Sequence, residues 1–126
     1  MSPKESKLPQ DWYEKAKKDI KRVKILLEAE DIEGAGFHLQ QAAEKAIKGF
    51  LLGKGWKLKR SHDLEDLLNS AIEYDPNLER FREALQFTTE FYIEDRYPYF
   101  GSNVPSKEEF AAYALPIASL HSLKTL

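Results

Sequence analysis

Cysteine is absent from the 126 residues of this chain. That excludes disulfides, thiolate nucleophiles and cysteine-based zinc sites, and leaves packing alone to hold the fold. Histidine occurs only three times, at His38, His62 and His121, and no His-Glu-x-x-His pattern is present, so no metal site is expected. Gly53 and Gly55 flank a single lysine and lack the GxxxxGK[ST] spacing of a phosphate-binding loop, and nothing else in the sequence calls for a cofactor. No apolar run approaches the roughly 20 residues that cross a bilayer. The polar start Ser2-Pro3-Lys4-Glu5 does not read as a signal peptide, and the expectation is a soluble, cytoplasmic protein with no membrane partner.

What is present fits one globular domain. Apolar residues make up 42% of the chain and charged residues 32%, and a chain of this size buries roughly two-thirds of its unfolded surface. The net charge of -2 hides an asymmetry: residues 1–60 carry 14 Lys/Arg against 9 Asp/Glu, whereas residues 61–126 carry 5 against 12. Six cations crowd Lys15-Ala16-Lys17-Lys18-Asp19-Ile20-Lys21-Arg22-Val23-Lys24, on the expected wet side of a helix, where they read as a solvated face or as an attraction for RNA.

Periodicity organises the chain into helices. Trp12, Ala16, Ile20, Val23 and Leu27 make an apolar stripe at helical spacing, predicting a first helix from about Gln10 to Ala29. Ala35, Leu39, Ala42, Ala46 and Phe50 repeat the pattern in a second helix that closes near Gly53-Lys54-Gly55. Its small residues Gly36, Ala42, Ala43, Ala46 and Gly49 mark it as the central helix. A third opens at Ser61 or Asp63 and buries Leu64, Leu67, Leu68, Ala71 and Ile72. Asp75-Pro76 breaks it and starts a fourth, expected to run to about Asp95 with Leu78, Phe81, Leu85, Thr88 and Tyr92 inward. Residues 96–105 hold Pro98, Gly101 and Pro105 and read as a loop bearing Tyr97, Tyr99 and Phe100. Ser106 and Glu109 form a capping box for a fifth helix, kinked at Pro116, with His121 on its inner line. The expected fold is all-α, an up-and-down antiparallel bundle of about five helices over residues 10–126, after a flexible tail of residues 1–9.

Arg96 ends the fourth helix, and its guanidinium offers a rigid fork of donors suited to phosphate. The second helix carries two readings: a polar edge of Gln40, Glu44 and Lys48, with Glu44 and Lys48 an i, i+4 ion pair, or a groove in which Gln41, Lys45 and Lys48 bind phosphate or a nucleobase. His62 lies beside Arg60 at the start of the third helix, where the helix dipole and the cation favour the neutral ring. The consecutive Ser61-His62-Asp63 cannot serve as a catalytic triad, since adjacent side chains on a helix diverge. His38 has no acidic or basic companion at a useful spacing and is assigned no role.

Three segments, in order, carry a family resemblance: Gln40-Gln41-Ala42-Ala43-Glu44-Lys45-Ala46-Ile47-Lys48, Arg60-Ser61-His62-Asp63-Leu64, and Tyr92-Ile93-Glu94-Asp95-Arg96-Tyr97-Pro98. Together they resemble the HEPN domain family. The resemblance implies a small helical bundle that forms a homodimer and is often paired with a minimal nucleotidyltransferase. Family members that cleave RNA use an Arg followed, after four to six intervening residues, by a His. Here those positions are Gly101, Ser102 and Asn103, none of which transfers a proton near neutral pH. The resemblance therefore implies a non-catalytic subunit of a toxin-antitoxin-like module that binds a nucleotidyltransferase. It would hold a nucleotide or RNA near Arg96, with Tyr97, Gln41, Lys45, Lys48 and His62 as further ligands. Two alternatives stand beside it: a ribonuclease whose catalytic His is displaced, with Arg96 still catalytic, and a stand-alone nucleotide-binding or scaffold protein.

Overall fold

A computed structural model describes residues 6–57, 63–96 and 105–120, and gives the backbone alone for residues 91–96. Five α-helices account for most of it: α1 (Pro9–Glu28), α2 (Ile32–Gly53), α3 (Leu64–Ile72), α4 (Arg82–Arg96) and α5 (Lys107–Ala118). No strand occurs among the described residues, and the helices form the expected all-α bundle. The central role expected of the second helix holds, because α2 packs against each of the other four.

The first helix begins at Pro9, a residue pre-set for the first turn. Just before it, Ser6 is buried; its Oγ donates to Asp11 Oδ2 at 2.6 Å and its carbonyl accepts from Trp12 Nε1 at 2.9 Å. Residues 1–5 of the expected tail lie outside the described residues. Between α1 and α2 the chain turns in three residues, with Glu30 forced to a φ of 60°, and Asp31 caps α2 by accepting from Gly34 N–H. The close of α2 uses the left-handed region at Gly55, φ 88°.

The α1–α2 crossing is the most extensive contact in the bundle. Small side chains permit it: Ala35, Ala42, Ala43 and Ala46 are buried, and a Cβ at Gly49 would stand 3.2 Å from Trp12 Cβ and 3.3 Å from the Pro9 carbonyl oxygen. Around this crossing Leu39, Ile47, Leu51, Leu64, Leu67, Leu68, Leu78, Phe110 and Ile117 are almost wholly buried. Each such side chain contributes about 1.5–3 kcal/mol from burial.

One helix differs from expectation. The fourth was read as continuous from Pro76, but Pro76–Phe81 is a 3₁₀ helix that gives way to α4 at Arg82. Asp75 caps it by accepting from Asn77 N–H at 3.1 Å, and tight i+3 pairing is common where such a segment joins an α-helix. Of its expected inward residues Leu78, Phe81, Leu85 and Thr88 are buried, and the Tyr92 side chain lies outside the described structure. Of the capping box on α5, the bond from Glu109 N–H to Ser106 Oγ is present at 3.1 Å, and the return bond is not formed. Pro116 lies inside α5, and Ser119 Oγ donates to its carbonyl.

Candidate functional site

Asp19 is the polar centre of the α1–α2 crossing. It sits among the apolar residues of the first stripe and is 2% exposed, which a carboxylate tolerates only with strong partners. Three donors supply them. Lys45 Nζ stands 2.7 Å from Oδ2, His38 Nδ1 2.9 Å from Oδ1, and Arg22 Nη1 3.3 Å from Oδ1. A carboxylate only accepts, so the short contact assigns the Nδ1 proton to His38. His38 and Lys45 each keep 24% of their side chains exposed and Arg22 keeps 54%, so the cluster opens to solvent above its buried anion. Sequence reading passed over this site. His38 does have an acidic companion, 19 residues earlier on the neighbouring helix, and the available signal was a charged residue on the apolar line Trp12, Ala16, Asp19, Val23.

The second-helix residues singled out from sequence separate into two groups. Lys45 belongs to the Asp19 cluster, and Gln41, part-exposed, occupies the same helix face between His38 and Lys45. Lys48 points elsewhere: it is 4% exposed, pairs with Glu44 Oε2 at 3.0 Å and lies 5.9 Å from the centroid of the Trp12 ring. The polar-edge reading, with its i, i+4 ion pair, fits that placement, and a ligand in solvent would not reach the Lys48 ammonium. Tyr13, which follows Trp12 on α1 and stands against Gly49, is buried, and desolvation pushes its phenol up to about 12.

Arg96 is the last residue of α4, as expected. Tyr97, His62, Arg60 and His121 lie outside the described residues. A second polar group links α3 to α4. Arg82 grips Glu79 side-on at 2.6 and 2.9 Å and reaches Glu65 Oε1 at 3.2 Å and Asn69 Oδ1 at 2.7 Å. The guanidinium hydrogen bonds hold the Glu79 carboxyl below the usual range. Beside Arg82 a cleft of about 300 Å³ is bordered by Glu65, Gln86, Thr89 and Glu90. Among the described residues no group of three or more His, Asp or Glu converges on a point where a metal would bind.

No helix among the described residues is long and apolar enough to cross a membrane. No curated protein and no solved structure matches the chain. A family model does: the HEPN domain matches residues 9–120, a span that runs from the first residue of α1 to just past α5 and takes in all three sequence segments. The chain belongs to the HEPN domain family.

Proposed function

We propose that this chain is a non-catalytic HEPN subunit that forms a homodimer, binds a minimal nucleotidyltransferase in a toxin-antitoxin-like module, and holds a nucleotide or RNA beside Arg96. The observation that carries the reading is chemical. Arg96 closes α4, and the three positions where the family's nucleases place a proton-transferring imidazole are Gly101, Ser102 and Asn103. A guanidinium alone binds phosphate and stabilises its charge, but moves no proton. Tyr97 and His62 are further ligands in this reading. Lys45 and Gln41 stay ligands in this reading because both are part-exposed, and Lys48 drops out because its ammonium is buried as well as paired with Glu44.

Co-expression with the product of a neighbouring nucleotidyltransferase gene, followed by size-exclusion chromatography, tests the partner. Co-elution at a defined stoichiometry is the expected result. A chain that elutes alone, as its own dimer, would favour a stand-alone binding or scaffold protein instead.

A further inference from the structure

The Asp19 cluster presents two kinds of group side by side. Lys45 and Arg22 are cations, each with N–H donors left over after Asp19 has taken one. His38 is different. Its Nδ1–H is spent on Asp19, so the ring in its neutral form leaves Nε2 as an acceptor, and among the described residues Nε2 has no protein partner. An acceptor set between cations suits a hydroxyl lying next to an anion better than it suits an anion alone. Phe37 adds a third element: its ring is 44% exposed and stands edge-on to the His38 ring, with centroids 5.2 Å apart. An exposed aromatic face stacks any base.

From this geometry we infer that the α1–α2 face is a binding site for a phosphorylated ribose, as part of RNA or of a free nucleotide. Lys45 and Arg22 bind the phosphate, His38 Nε2 accepts from the ribose 2′-hydroxyl, and Phe37 stacks the base. Asp19 is the positioning residue: it fixes the histidine tautomer and draws two cations together that would otherwise repel. The 2′-hydroxyl is the group that separates RNA from DNA, so the site discriminates between them. The inference deepens the nucleotide-binding part of the proposed function and rests on it, but needs neither the nucleotidyltransferase nor Arg96.

Fluorescence anisotropy with a labelled five-residue oligoadenylate and its deoxy counterpart tests the site on the full chain. The RNA is expected to bind about five- to tenfold more tightly than the DNA, the worth of one hydrogen bond. His38→Phe, which keeps an aromatic ring and removes the acceptor, should lower RNA affinity more than DNA affinity and close the gap between them. Lys45→Met should weaken both. Competition by AMP assigns the site to free nucleotides, and competition by the oligonucleotide alone assigns it to RNA. Should His38→Phe fail to fold, the imidazole ¹⁵N resonances of the wild-type chain supply the second measurement, Nε2 shifting with RNA and not with DNA. Equal affinity for RNA and DNA, or an Nε2 resonance that RNA does not move, would overturn the inference. Binding lost in Arg96→Ala and untouched in His38→Phe would overturn it as well, while leaving the Arg96 reading intact. Failure to co-elute with a nucleotidyltransferase bears on the partner alone.

Discussion

At the residue scale, two buried ion pairs on the same helices behave differently because their partners differ in access to water. Glu44 and Lys48 are both nearly covered, at 7% and 4% exposure. Glu44→Ala leaves the Lys48 ammonium buried over the Trp12 ring and is expected to cost about 3–5 kcal/mol in urea denaturation. The double variant Glu44→Leu with Lys48→Met should recover most of that loss, since an apolar pair leaves no buried charge or polar group without a partner. Asp19→Asn removes an anion whose donors reach solvent, so a smaller cost of about 1–3 kcal/mol is expected by the same measurement. Tyr13 sets a limit at high pH. Its phenol is raised to about 12 by burial against an ordinary value of 10.0, so folded and unfolded chains hold that proton equally well below pH 10. Between 10 and 12 only the folded state retains it, and the unfolded state gains from ionising. Stability should fall through that window by about 2 kcal/mol, and Tyr13→Phe should flatten the fall, as read from urea midpoints at successive pH values.

At the element scale, the α1–α2 pair is the unit on which the rest is built. Gly49 is a point of close approach: a methyl there meets Trp12 Cβ at 3.2 Å and Tyr13 Cε1 at 3.3 Å. Gly49→Ala gains about 1 kcal/mol of helix propensity against that crowding and is expected to be close to neutral. Gly49→Val adds branching that cannot fit and should lower the thermal midpoint, at a cost of about 1–3 kcal/mol. Most of this architecture was legible in sequence because apolar periodicity reports which face of a helix is covered. Trp12, Ala16, Ile20 and Val23 are buried as their spacing implies, and so are Leu64, Leu67, Leu68 and Ala71. What periodicity does not report is hydrogen-bond pitch, so the 3₁₀ segment Pro76–Phe81 was indistinguishable from the first turns of α4. Nor does it report which side chains from two helices meet. His38 and Asp19 are joined only by the crossing itself, and a search confined to one helix finds neither.

At the scale of the whole molecule, the bundle places its cations unevenly. α1 exposes Lys17, Lys18, Lys21 and Lys24, and the Asp19 cluster opens beside that helix, whereas α3, the 3₁₀ segment and the start of α4 carry Glu65, Asp66, Glu79 and Glu83. The polarity that the sequence shows between its two halves is thus carried by different helices, with RNA or nucleotide expected at the basic end. Arg96 is fixed by sequence and by its place at the end of α4; what surrounds its guanidinium is a question the residue pattern could pose and not answer. The proposed binding role rests on that guanidinium having no imidazole at positions 101–103. The most direct test is incubation of end-labelled single-stranded RNA with excess purified protein, resolved on a denaturing gel. Intact RNA over hours, for wild type and Arg96→Ala alike, is the predicted result; cleavage by the wild type that vanishes in Arg96→Ala would contradict it.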